Sequence, residues 1–158
     1  MKESMSKIFV LDTSAIFSFT ENEEGCEVVE KILKTGKIGE CQIFLSFISL
    51  TEIYYITWQE KCENVAKELI ILVKSLPLQI VNSNERIALS AGRIKANYRL
   101  SVADSIIAAT AIEKKAILVH KDPELKAISN YVNTLELPFK EKTIPNSLPR
   151  WRKKSNPY

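Results

Sequence analysis

The amino-acid sequence predicts an α/β fold of three layers, a central, mainly parallel sheet flanked by helices. Two observations predict it. Short apolar runs, "KIFVL" (7–11), "CQIFLS" (41–46), "LQIV" (78–81) and "AILVH" (116–120), alternate with stretches of helical periodicity, as strands joined by helical crossovers do. The 158 residues, 46% hydrophobic and 26% charged, suit one domain able to bury a core, with no repeat or low-complexity tract.

The elements can be taken in chain order. Strand 7–11 runs into Asp12, Thr13 and Ser14, after which a helix begins near Ala15. Residues 23–36, "EEGCEVVEKILKTG", space their apolar side chains helically and close on Gly36. Strand 41–46 leads into a helix over 49–60 with Leu50, Ile53, Tyr54 and Thr57 on one side. Residues 62–76 form a strongly apolar helix, 78–81 a short strand and 84–98 another helix. "SVADSIIAATAIEKK" (101–115) is apolar nearly all round, which calls for deep burial. Strand 116–120, a short helix over 122–128 and an edge strand over 133–137 complete a domain expected to span 1–140. Residues 141–158, with Pro145, Pro149 and Pro157 among basic residues, read as a tail.

Several function classes are excluded. The apolar runs "ELIILV" and "SIIAATAI" are too short to span a membrane, and "MKESMSKIF" lacks a signal-peptide pattern, so a cytoplasmic protein is expected. Cys26, Cys41 and Cys62 are odd in number and form no CxxC pair, which fits ordinary thiols better than a disulfide framework or zinc site. The four glycines make neither GxxxxGK[ST] nor GxGxxG, and no GxSxG elbow is present. A single histidine, His120, cannot support a two-histidine scheme.

What is left is acid chemistry. Asp12 follows strand 7–11, Asp122 follows strand 116–120, Glu52 lies near the start of the helix after strand 41–46, and Asp104 opens the apolar helix. In open α/β sheets, sites gather beyond the carboxyl ends of the strands. Each acid taken singly has a structural reading. Asp12 can cap the helix after it, Ser101 and Asp104 fit a capping box, Asp122–Pro123 is a good helix start, and Glu52 complements a helix dipole. Taken together they mean more. Asp104 precedes "SIIAATAI", so its carboxylate meets protein on most sides and needs a compensating cation or hydrogen bonds. Hard oxygen ligands without a His or Cys cluster point to Mg²⁺, or Mn²⁺ in its place, and to phosphodiester hydrolysis without a protein nucleophile.

The stretches "FVLDTSAIFSF", "ISLTEIYYI" and "SVADSIIAATAIEKKAILVHKDPEL", in this order over residues 7 to about 137, resemble the PIN-domain ribonucleases, specifically the VapC-like toxins of toxin–antitoxin modules. The resemblance implies a parallel sheet flanked by helices and metal-dependent cleavage of RNA. Asp12, Glu52, Asp104 and Asp122 are then the catalytic, metal-binding acids, with Thr13, Ser14 and His120 supporting them. A small antitoxin that fills the active-site groove and a homodimer are implied as partners. Many members of the family carry Thr or Ser where this sequence has His120.

Net charge is only +3, but 22 basic residues face 15 acids once the four are set aside. Lys121, Arg93 and Arg99, with Lys95 and the tail's Arg150, Arg152, Lys153 and Lys154, are candidate phosphate contacts to RNA, and each is equally an ordinary surface charge. Three other readings are a PIN nuclease of RNA processing or decay, a catalytically idle PIN-like binding module, and a phosphoacceptor domain using Asp12. The last is disfavoured because Asp12 lacks the second acid of a DxD pair.

Overall fold

The computed structural model describes residues 5–138. The tail expected at 141–158 and residues 1–4 and 139–140 of the expected domain lie outside the described residues. In chain order the elements are β1 (Lys7–Leu11), α1 (Thr13–Thr20), α2 (Cys26–Lys37), β2 (Cys41–Ser46), α3 (Phe47–Glu60), α4 (Glu63–Ser75), β3 (Gln79–Val81), α5 (Glu85–Asn97), α6 (Val102–Lys114), β4 (Ile117–His120), a 3₁₀ turn (Pro123–Ile128) and β5 (Thr134–Glu136).

The strands form one sheet in the order β3-β2-β1-β4-β5. All its pairings are parallel, a stricter arrangement than the mainly parallel sheet expected. Helices cover both faces, which is why the central strands are apolar nearly throughout. Side chains alternate between two cores. Val10, Phe44 and Leu118 pack with α5, α6 and the 3₁₀ turn, whereas Phe9, Leu11, Ile43, Leu45 and Val119 pack with α1–α4. The same alternation fixes the side to which the end of each strand turns. One step beyond Leu11 and Val119, Asp12 and His120 fall on the α6 side.

Several boundaries move for local reasons. Helix α3 begins at Phe47 because Ser46, the last residue of β2, caps it at once, its hydroxyl accepting the Ile48 N–H at 3.4 Å. Gly36 does not end α2, which runs to Lys37; the left-handed turn falls on Gly39 (φ 79°). Gly36 instead lies close to β2: a Cβ there would lie 2.5 Å from Ile43 Cδ1, so that side chain would have to shift. The short helix after Asp122 is 3₁₀, and the edge strand narrows to three residues, Thr134–Glu136.

Helix α6 is buried along Ser105 and Ile107–Ala111, as its all-round apolar sequence demands. Helix α4 is less so. It packs through one side against α3, burying Ala66 and Val73 while Ile71 and Leu72 stay exposed. Among the described residues no helix is long and apolar enough to cross a membrane.

Candidate active site

The carboxyl ends of β1 and β4 lie side by side. Leu11 pairs with Val119, and the Asp12 N–H continues the ladder to the Val119 carbonyl at 2.9 Å. Asp12 caps α1: its Oδ2 accepts the Ser14 N–H (3.3 Å) and the Ser14 hydroxyl, and the same hydroxyl accepts the Lys121 N–H at 3.0 Å. Ser14 therefore ties the end of β1 to the segment leaving β4. The cap consumes only one oxygen. Asp12 is 4% exposed, and its Oδ1 has no hydrogen-bond partner among the described residues. Buried polar atoms are nearly always paired, so this oxygen calls for an explanation.

Thr13 turns to α3. Its hydroxyl donates to Glu52 Oε1 at 2.8 Å and lies 3.0 Å from Ser49 Oγ, which fixes the first turn of α3 against the end of β1. The sequence reading missed Ser49; the only signal was a small polar residue one turn before Ile53. From the α6 side comes Asp104, in the first turn of its helix, where the Ser101 hydroxyl accepts its N–H at 3.0 Å. Asp122 caps the 3₁₀ turn, its Oδ1 accepting the Glu124 N–H at 2.9 Å. The capping roles of Asp12, Ser101 and Asp122 are thus realised. They use one face of each group and leave the rest free.

Electrostatics join these acids into one centre. Burial pushes the Asp12 carboxyl up; the Ser14 hydrogen bonds oppose this, Asp122 adds to it and His120 eases it. Glu52 is raised by burial, with Thr13 opposing and Asp12 and Asp122 adding. Asp104 is pushed up to about 7, first by burial, then by Asp12, against the Ser101 hydroxyl, with Asp122 and Glu52 contributing. Asp122 raises all three, and Asp12 raises both Glu52 and Asp104, as carboxylates brought near one another do.

Glu124 was not among the acids expected. One carboxylate oxygen from each of Asp104, Asp122 and Glu124 lies within 4.8 Å of the other two. At 4.8 Å two unit charges repel by roughly 1 kcal/mol in bulk water and roughly 3 at the effective dielectric near a protein surface. Its sequence signal was slight, an acid two residues after a capping Asp.

His120 is more than an ordinary strand end. It is fully buried and both ring nitrogens lack partners among the described residues. By register it stands across from Asp12 on the same side of the sheet.

The basic residues expected near the centre divide. Lys121 is held, its ammonium 3.1 Å from Glu23 and 2.9 Å from the Glu24 carbonyl with the side chain 11% exposed. Arg93 lines a groove with Tyr98, Tyr131 and Ile112, and Ile112 lies about 12 Å along α6 from Asp104 at 1.5 Å per residue. Arg99 is exposed in the loop just before the α6 cap.

The donor set is all oxygen, and one of its buried atoms is unpaired. These residues fit a hard divalent cation, which would satisfy Asp12 Oδ1 and relieve the repulsion.

A family model for the PIN domain matches residues 9–131. No curated protein matches the chain. Among solved structures it is similar to VapBC2 of Rickettsia felis bound to a DNA fragment from its promoter, at TM-score 0.68 and 20% identity over 83% of this chain and 99% of that one. VapBC-1 of nontypeable Haemophilus influenzae matches at TM-score 0.63 and 21% identity over 82% and 97%. Mycobacterium tuberculosis VapC20, described as a Sarcin-Ricin loop cleaving toxin, matches at TM-score 0.63 and 14% identity over 84% and 100%. At these identities the structures speak for the fold. With the family model spanning most of the described residues, and the parallel sheet delivering its acids to one edge, the chain belongs to the PIN domain family.

Proposed function

We propose that this protein is a Mg²⁺- or Mn²⁺-dependent endoribonuclease, the toxin of a cytoplasmic toxin–antitoxin pair, restrained by a small antitoxin and acting as a homodimer. The observation that carries the catalytic reading is Asp12. A buried carboxylate with an unpartnered oxygen, beside acids that raise one another's affinity for protons, is a centre that lacks positive charge. Asp12, Glu52, Asp104 and Asp122 would hold the ion. When bound, it supplies charge neutralisation at the phosphodiester and activation of the attacking water.

The chain's own residues supply the rest. Ser14 keeps Asp12 Oδ2 engaged, which leaves Oδ1 unpartnered among the described residues and available to an ion. Thr13 holds Glu52, and Ser101 anchors the backbone of Asp104. Arg99, exposed two residues before the Ser101 cap of α6, is a basic residue available to meet a phosphate. Lys121, held against Glu23, serves the fold of the site instead. Similarity to toxins crystallised in toxin–antitoxin complexes supports the toxin reading over RNA processing.

The test is RNA cleavage by the purified chain in Mn²⁺ or Mg²⁺, against EDTA and against Asp104→Asn. Cleavage should vanish in EDTA and fall by about 10²-fold or more in the variant, the scale on which single electrostatic elements of active sites act. Cleavage persisting in EDTA, or equal in the variant, sinks the mechanism. Growth arrest on expression, relieved by the product of an adjacent short reading frame, tests the toxin assignment separately.

A further inference from the structure

Glu124 lies outside the four acids to which the family resemblance points, yet it completes the tightest carboxylate set among the described residues. Its oxygen lies within 4.8 Å of oxygens of both Asp104 and Asp122. The Asp122 cap brings it there, because the hydrogen bond from the Glu124 N–H folds the turn back over Asp122.

The neighbouring lysines could have neutralised this set and do not. Lys121 pairs with Glu23 at 3.1 Å, and Lys126 pairs with Glu136 at 3.2 Å. Among the described residues no basic side chain pairs with Asp104, Asp122 or Glu124. A second observation comes from the sheet. Asp12 Oδ1, buried and unpartnered, belongs to a side chain on the α6 side of the sheet, where Asp104 is carried. The acids therefore run from a buried oxygen, through the half-buried Asp104 and Asp122, to the exposed Glu124.

We propose that Glu124 is a cation ligand of this centre. A hard divalent ion is held by Asp104, Asp122 and Glu124 on the solvent side, with Asp12 beneath it. Oxygens on opposite sides of Mg²⁺ stand about 4.2 Å apart, twice a bond of about 2.1 Å. Oxygens that share one such ion stand no farther apart than that, so the three draw together when it binds, and the exposed Glu124 side chain has the most freedom to move. The proposal rests on the metal dependence proposed for the nuclease and adds a residue to it.

The test is Mn²⁺ binding to the full chain without RNA, read by the electron paramagnetic resonance of free Mn²⁺ with Mg²⁺ as competitor. Wild type, Glu124→Gln and Asp104→Asn are compared, and circular dichroism checks that each is folded. Glu124→Gln keeps the backbone bond to Asp122, so the turn is preserved. It should weaken Mn²⁺ binding by at least about tenfold, the low end of the loss caused by removing even an outer partner of a metal ligand. Binding within twofold of wild type in Glu124→Gln, alongside a loss in Asp104→Asn, overturns the role of Glu124 and leaves the centre intact. Absence of millimolar Mn²⁺ binding by the wild type removes the metal reading itself, and this proposal with it.

Discussion

Helix α4 and the carboxyl edge of the sheet treat the same residue type in opposite ways. On α4, Glu63 meets Lys67 one turn later at 2.9 Å, and that hydrogen bond holds the Glu63 carboxyl below the usual range. At the edge, Asp12, Glu52 and Asp104 are all raised, by burial before anything else and also by neighbouring acids, Asp122 acting on all three. The outer helices place some of their acids one turn from a base along the chain, as Glu30 and Lys34 also are on α2. The edge gathers acids from β1, α3, α6 and the 3₁₀ turn and pairs none of them with a basic side chain among the described residues. Repulsion of that kind is relieved locally on a surface. It persists at the edge because packing elsewhere holds the elements together.

The largest effect should come from breaking that clamp. Leu118 is fully buried on β4, between β1 and β5. Leu118→Ala should cost about 2–5 kcal/mol in urea unfolding, as truncation of a buried leucine does. A cost under about 1 kcal/mol would mean the core does not restrain the edge.

Next comes relief of the repulsion itself. Burial first, and then Asp12, push the Asp104 carboxyl up to about 7 from an ordinary 3.8, so the folded state binds the proton more tightly than the unfolded one. Stability of the metal-free protein from this group is fully present below about pH 4 and is lost as pH rises through 7. Asp104→Asn should therefore leave stability unchanged at about pH 4 and raise it at about pH 8, by about 2 kcal/mol after allowance for solvent screening. Thermal melts across that range provide the check. Mn²⁺ should raise the wild-type melting temperature at about pH 8 and the variant's much less. A variant less stable than wild type at that alkaline end contradicts the account.

The smallest effect belongs to the surface pair. Lys67→Ala should leave the melting temperature within about 2 °C of wild type, since exposed pairs contribute little. A larger drop would erase the contrast between the two regions.

Much of the fold was legible, for reasons that particular elements show. The runs 7–11, 41–46 and 116–120 are apolar because both faces of a parallel sheet are covered, and α6 is apolar all round because it is buried. Helix α4 is the counter-case: its apolar composition does not reveal that Ile71 and Leu72 stay exposed, because exposure depends on which neighbours exist. Gly36 read as a stop signal is the same kind of miss. Its reason is the approach of Ile43, a contact with no local signature. The acids that end strands or open helices could be named as candidates because period and capping are local, and their common edge came from the rule for parallel sheets.

By itself, the sequence determined the alternation of elements, the placing of Asp12, Glu52, Asp104 and Asp122 at strand ends and helix starts, and the lack of a CxxC pair or glycine-loop motif. These depend on backbone periodicity and residue type alone. Tertiary structure alone decided that one oxygen of Asp12 goes unpaired, that Lys121 turns to Glu23, that His120 is fully buried and that Glu124 joins Asp104 and Asp122. Each is a distance between groups far apart along the chain or on opposite sides of a turn, and such distances exist only once the core has closed.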